Sequence, residues 1–539
     1  MCAALLLSAT SVAYADDVSD IKKQQEQLLK QNQALIKKLA EVEKRQKQLE
    51  AKAKAEGKLV AQAPAGQGAP GTPGAQWTAA DLTRRLLNPN DDTTLTFYGI
   101  TIYGALDVGG TYQTHGSPLS PTFAPGLSNV IQKMSNKSIF SAIPNNLSDS
   151  SIGIKGTEEF APGWSAVFNV QTAFDPTSGQ IEDGRKTLVV NNGVSLVNQT
   201  TNGDSSKDGQ AFINAYGGVS SPVYGTMTFG RQNSLGLDGV KLYDPMGASQ
   251  TFSPIGFSGV AAGLGDTDSA RLDNAVKYRV NAGPARAAAL YTFGPSGYEN
   301  ANSYQGQLGF DYQGFSFDGI GSHISNAVNG GSLSAVNAAG LLPAQLAQPG
   351  NGIINGTVSD NTSFMLLAKY TTGAFKFFGG YENIHYANPR YSMYTGETIV
   401  GGYVLDVASE GYNGHVGYNG RVLQVFWTGV KYAVNSNLEL TGAYYHFDQN
   451  NFTASAGVVV NCGAAVYNGL IGATANSGAC HGSENVVSAL VDYHFTKRFD
   501  VFGGVSWNDV NGGMASGFAS AGKETAGEFQ PTVGTRFQF

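Results

Sequence analysis

The side chains of this 539-residue chain that could do chemistry are spaced poorly for catalysis. Its seven histidines (His115, His323, His385, His415, His446, His481 and His494) make no HExxH pair. No G-x-S-x-G turn or phosphate-binding loop occurs. Asp266-Thr-Asp268 resembles half a calcium loop, but the later acidic ligands and the bidentate Glu are missing, so it reads as polar loop. The spacing therefore predicts no enzyme, no metal and no cofactor. What remains is charge distributed with a period of two. Lys277 and Arg279 alternate with Val276, Tyr278 and Val280, and Arg286 and Thr292 alternate with Ala285, Ala287, Ala289 and Tyr291. Arg271 keeps the parity of Lys277. Arg231 instead shares the parity of Met227 and Phe229, with Gly230 placed where a bulge could re-aim it.

The same alternation runs from Leu95 to Phe539. Ile102, Gly104, Leu106, Val108 and Tyr112 oppose Tyr103, Asp107 and Thr111; Trp164, Ala166, Phe168, Val170 and Phe174 oppose Ser165, Asn169, Gln171 and Asp175. Val501, Gly503, Val505 and Trp507 oppose Asp500 and Ser506, and in each such segment the charge stays on the polar face. Lipid enforces that rule, since a Lys or Arg at the bilayer midplane costs about 2–4 kcal/mol. A soluble β-sandwich alternates too, with its apolar face inward. Three features favour a barrel. About sixteen segments of roughly ten residues can be counted, starting near 97, 150, 164, 210, 225, 270, 284, 303, 314, 363, 374, 421, 437, 485, 499 and 529. Aromatics gather near segment ends, at Tyr112, Trp164, Phe174, Tyr216, Tyr291, Phe293, Tyr432 and Trp507, as in an interfacial girdle. Connections also alternate between short (160–163, 220–225, 281–283, 434–437) and long (113–149, 176–209, 325–361, 383–420, 448–484, 509–526). The expected fold is all-β: a 16-stranded antiparallel transmembrane β-barrel over 95–539, preceded by an N-terminal helical segment.

Residues 1–15 end in Ala13-Tyr14-Ala15 and read as a secretory signal; the absent basic n-region implies a shortened start. Removing it leaves Cys462 and Cys480, which form one disulfide or remain two free thiols. An exported chain favours the disulfide, and closing so short a loop contributes roughly 3 kcal/mol. Residues 16–56 carry Ile21, Leu28, Leu35, Val42 and Leu49 at seven-residue intervals, the mark of a coiled coil. Polar Gln25, Asn32 and Gln46 on the second seam leave a single solvated helix as the alternative. Residues 57–94 are a Pro/Gly/Ala-rich linker and a short helical patch. From Leu95 on, 21 Lys/Arg face 30 Asp/Glu, so nucleic acid is not an expected partner.

IYGALDVGG (102–110), IGIKGTEEFAPGWSAVFNVQTAFD (152–175), INAYGGVSSPVYGTMTFGRQ (213–232), LDNAVKYRV (272–280) and VGTRFQF (533–539) resemble the trimeric general porins of Gram-negative bacteria. The resemblance covers nearly all of 97–539. It implies sixteen strands, a homotrimer in outer-membrane lipid, both barrel termini in the periplasm, and a third loop folded into a pore. Phe537 and Phe539 resemble the terminal signal for barrel assembly, although Thr535 departs from the usual apolar residue. The third loop would run from about Gln232 to Ala270 and carry Asp238, Asp244, Asp266 and Asp268. Arg231, Arg271, Lys277, Arg279 and Arg286, with Lys155 on an earlier strand, would face it across a constriction. The implied function is passive diffusion of small hydrophilic solutes and ions. A substrate-specific channel for sugars or organic acids is the alternative, and a barrel-borne enzyme or adhesin a weaker one. The acidic total predicts a mild cation preference that a basic constriction would reverse. The helical segment, in the periplasm, reads as a trimer clamp or spacer, with a cell-wall contact as a further hypothesis.

Overall fold

The computed structural model describes residues 95–114, 138–177, 180–181, 212–255, 271–293, 302–332, 354–387, 397–400, 403–406, 418–451, 453–454, 481–512 and 525–539. The chain divides into two units, Met1–Gln76 and Trp77–Phe539. The signal, coiled coil, linker, Asp266, Asp268, Cys462 and Cys480 all lie outside the described residues.

Among the described residues of the second unit, sixteen antiparallel strands close a barrel. They are β1 (Ile100–Gln113), β2 (Ser151–Ala161), β3 (Trp164–Asp175), β4 (Asn214–Ser221), β5 (Gly225–Asn233), β6 (Arg271–Ala282), β7 (Ala285–Thr292) and β8 (Ser303–Tyr312). β9 (Phe315–Ser332), β10 (Ile354–Thr372), β11 (Phe375–Ala387), β12 (Arg421–Ala433), β13 (Leu438–Gln449), β14 (Gly482–His494), β15 (Phe499–Gly512) and β16 (Thr525–Gln538) complete them. Each pairs with its neighbours in sequence, and β16 pairs back onto β1 with Ala105 opposite Gln538 and Thr111 opposite Thr532. The sheet has no free edge, as a spanning sheet requires. Phe539 completes the seam by exchanging two backbone hydrogen bonds with Gly104, at 3.0 and 3.1 Å.

The faces follow the expected parity. Ile102, Leu106, Phe168, Val170, Tyr278, Leu308 and Phe310 are exposed on the outside, while Asp107, Gln305, Gln307 and Asp318 are buried within. Tyr112, Trp164, Tyr291, Phe293, Tyr432 and Trp507 fit the outer aromatic set. Tyr216 does not: its hydroxyl lies 3.5 Å from Asn169 Nδ2, on the lumen side. β9 and β10 also run well into the expected connection at 325–361, because strand pairing continues beyond the apolar band with a bulge between Ile324 and Ala327.

The lumen is filled unevenly. After β5 the chain turns inward as a nine-residue helix, α1 (Leu235–Tyr243). The hydroxyl of Ser234 caps it by accepting from Leu237 N at 3.0 Å. So short a helix is marginal by itself. It is held because Leu235, Val240 and Tyr243, with Met246, Phe252 and Ile255 from the following loop, join an apolar cluster with the inner faces of β9 to β15. Ile320, Met365, Leu367, Leu423, Val425, Trp427, Tyr445 and Phe502 form that wall. Burying each large apolar side chain contributes about 1.5–3 kcal/mol, which outweighs the weak intrinsic helix tendency. Gly239 sets the depth of the seat, since a Cβ there would lie 2.7 Å from Ile320 Cδ1 and 2.8 Å from Leu367 Cδ1.

Candidate functional site

The seated loop divides the lumen into an apolar, filled side and a polar, open one. Three further anchors fix it. Trp427 Nε1 donates to Tyr243 O at 3.1 Å, closing one of the helix's last carbonyls. Asp244 is buried beneath the loop, accepting from Met246 N at 3.1 Å, Ala248 N at 2.7 Å and the Tyr445 hydroxyl at 2.5 Å. Burial pushes its carboxyl above the ordinary range, while those donors pull the other way. The third anchor comes from residues 145–150, which bend inward between a short strand, Ile139–Pro144, and β2. There Asp107 accepts from the backbone N–H groups of Asn146, Leu147 and Ser148 at 3.0, 2.8 and 3.0 Å. The carbonyl of Asn146 in turn accepts from Gln250 N at 3.0 Å and Thr251 N at 3.2 Å.

On the open side, the first turn of α1 meets the basic residues of β6. Asp238 Oδ2 lies 2.9 Å from Lys277 Nζ and also pairs with Arg279 Nη2. Burial alone would raise the Asp238 carboxyl, but Lys277 and Arg279 outweigh it and hold the group below its usual range. Arg279 Nη1 also donates to Gln307 Oε1 at 3.3 Å. A cavity of about 480 Å³ opens here, lined by Asn169, Asn214, Tyr216, Gln232, Lys241 and Arg279 among others. Among the described residues, its lining holds Lys241, Lys277 and Arg279 against one carboxylate, Asp238. Next to the cavity-lining Asn169, the Tyr103 hydroxyl donates to Asn169 Oδ1 at 2.6 Å, and exposed Lys155 sits 5.0 Å from the Tyr103 ring centroid.

The sequence-derived set is therefore only partly brought together. Asp238, Lys277 and Arg279 come together in one ion-pair cluster. Arg286 is a hub on the other end of α1: it pairs with Asp311, lies 2.8 Å from Asp318 Oδ2, and donates to the Tyr243 hydroxyl at 2.5 Å. Gly309 makes this possible. It sits in register between Arg286 and Asp318, and a Cβ there would come 1.8 Å from Asp318 Oδ1. Arg271 is buried and donates to Asp149 at 3.2 Å. The expected irregularity near Gly230 is present, with Asp273 and Asn274 of β6 opposing Arg231 alone. It leaves Arg231 paired with Asp273 at 2.7 Å, not with Asp238. Asp244 does not reach the basic cluster. Lys241, Asp149, Asp311 and Asp318 were not singled out from sequence. The two last were accessible in principle, because they share the lumen parity of Arg286, but the pairing depends on register across three strands.

Comparison with known proteins gives the lineage. An outer membrane porin protein of Bordetella pertussis is 26% identical over 181 residues, which span 33% of this chain and 38% of that relative's length. Among solved structures, an anion-selective porin from Comamonas acidovorans aligns with a TM-score of 0.49 at 15% identity, over 82% of this chain and 99% of that one. OmpT of Vibrio cholerae aligns with a TM-score of 0.47 at 14% identity, over 83% and 99%. A family model for Gram-negative porins matches residues 69–513, well over half of the sequence, and the chain belongs to that family.

Proposed function

We propose that this chain forms a water-filled channel in the outer membrane, through which small hydrophilic solutes and ions diffuse passively. The observation that carries the reading is the loop seated inside a closed barrel, apolar against one wall and polar towards the other. The passage runs beside the Asp238–Lys277–Arg279 cluster, with Lys241 and Lys155 adding positive charge along it. The acidic total of the chain suggests cations, but ions respond to the local field they cross, and the described lining of this cavity sets three cationic side chains against one carboxylate. The filter therefore favours small anions. Arg286 and Arg271, tied to Asp318 and Asp149, act as struts for the loop, as does Asp244; Asp266 and Asp268 remain candidates for its acidic side.

Amides and cations lining one cavity also suit a small organic acid, which keeps a substrate-specific channel as the second reading. The family further supports a homotrimer, with the helical segment in the periplasm and Phe537 and Phe539 serving assembly. Purified protein in planar bilayers tests the proposal. A salt gradient should give a reversal potential of anion-selective sign, and the pair Lys277→Gln with Arg279→Gln should move it towards cations. Strong cation selectivity in the parent protein would remove the filter assignment, and no conductance at all would remove the channel. Flux that saturates for one solute class would select the second reading.

A further inference from the structure

We propose that the cavity beside α1 is a subsite for a sugar acid, a polyhydroxylated ring carrying one carboxylate. The inference rests on the channel reading and deepens it, because it names the solute class that the passage holds longest. Two kinds of lining share this cavity. One is cationic: Lys241 of α1, and Arg279 of β6, whose side chain is 38% exposed although it pairs with Asp238. The other is a neutral wall on β3 and β4, made by Asn169, Asn214 and Tyr216.

The neutral wall has a fixed hydrogen-bond polarity. The Tyr103 hydroxyl holds Asn169 Oδ1, and the Tyr103 ring lies so close over Gly153 that a Cβ there would stand 2.5 Å from its Cζ. Asn169 therefore presents Nδ2, which lies 3.5 Å from the Tyr216 oxygen, so the phenol accepts there and keeps its own hydrogen to donate. Asn214 Nδ2 donates to Gln171 Oε1 at 2.9 Å, and Gln171 Nε2 donates to Ser151 Oγ at 3.0 Å. That chain leaves Asn214 Oδ1 as an acceptor. Asn214 and Tyr216 are two apart on β4, so acceptor and donor share one face, roughly 7 Å of strand apart. A hydroxyl both gives and takes hydrogen bonds, and a ring bearing several satisfies such a wall. A carboxylate or an inorganic anion has no hydrogen to give to Asn214. Exposed Leu242 of α1 lines the same cavity and offers an apolar surface to the C–H face of the ring. Lys241 and Arg279 then take the carboxylate. A second carboxylate has no place, since Lys277 spends its charge on Asp238 and the β3–β4 wall is neutral. The volume, about 480 Å³, falls in the range of small-molecule sites.

Glucuronate is the probe, and its two halves are the controls: glucose, the ring without the carboxylate, and acetate, the carboxylate without the ring. In planar bilayers glucuronate should reduce the potassium chloride conductance saturably, at a half-blocking concentration at least tenfold below that of either control. Arg279→Gln should cut the preference for glucuronate over glucose at least fivefold. Tyr216→Phe, which keeps the ring and removes only the donor, should cut the preference over acetate at least threefold. Saturation-transfer NMR on the detergent-solubilised protein should rank the three solutes in the same order without any current. Block by glucose or by acetate as strong as by glucuronate, or parental preference in the Tyr216→Phe protein, would overturn the subsite and leave the cavity a stretch of solvated passage. Binding ranked as expected in a protein that passes no current would instead remove the channel and keep the subsite, so the two readings can fail separately.

Discussion

At the scale of single residues, Asp238 concentrates the electrostatics of the lumen. It is about a fifth exposed, 22% by side chain, and faces two cations of β6. Its carboxyl is held low by Lys277 and Arg279, so the sign of its pH dependence follows. A carboxyl depressed on folding contributes stability in full above its unfolded value, about 3.9, and loses it as pH falls through the lower folded value. Reversal potential should therefore stay flat from pH 7 down to about 4 and drift towards anions only below that, as the one carboxylate of the cluster is neutralised. Asp238→Asn should show the anion-shifted value already at pH 7. A shift with its midpoint near pH 6 in the parent protein would mean that some other group sets the selectivity. Parity assigned Lys277, Arg279 and Arg286 to the lumen from sequence alone, because a period of two leaves only two faces. Which carboxylate each one meets was not legible. That Arg286 meets Asp318 across Gly309 is a consequence of register, which no local pattern in either strand encodes.

At the scale of elements, the strands were the readable part. The expected starts at 164, 225, 303 and 499 coincide with β3, β5, β8 and β15, and those at 150, 270 and 284 fall one residue before β2, β6 and β7. Lipid on the outside makes the alternation strict, so even weak segments stand out. The helix α1 was missed. It is nine residues long, contains Gly236 and Gly239, and owes its existence to a wall contributed by strands up to about 250 positions later. Only Ser234 followed by Asp238 in the first turn hinted at an N-terminus. The dependence of α1 on its seat gives a prediction. Gly239→Val would drive a side chain into Ile320 and Leu367, so the helix should lift from the wall while the barrel's own hydrogen bonds persist. Single-channel records should become noisier, with altered conductance, and the barrel's far-ultraviolet circular dichroism should keep its strand signature. A quiet channel of parental conductance would show that the loop is held chiefly by its other anchors, the Asp244–Tyr445 and Asn146 contacts.

At the scale of the whole molecule, the chain divides into two units, Met1–Gln76 and Trp77–Phe539, and the heptad repeat read from sequence belongs to the first. If the Pro/Gly/Ala-rich stretch 57–76 behaves as the linker its composition predicts, its root-mean-square span would be about 5–6 Å times the square root of its length, or about 25 Å for twenty residues. Three barrels assembled as a trimer would therefore hold three copies of residues 16–56 at an effective concentration in the millimolar range. At that concentration a heptad repeat with only one fully apolar seam can still associate, although Gln25, Asn32 and Gln46 would weaken it in dilute solution. The coupling is reciprocal, so helices that associate must also stabilise the trimer that brings them together. Deleting residues 16–56 should accordingly lower the temperature at which trimers dissociate to monomers on unheated gels, while ion selectivity, which belongs to the barrel lumen, stays unchanged. Replacing Leu28 and Leu35 with Asp should reproduce the effect of the deletion, since it removes the apolar seam and keeps the length. If trimers melt at the same temperature in all three proteins, the segment does not clamp the assembly, and the spacer reading of residues 16–56 takes its place.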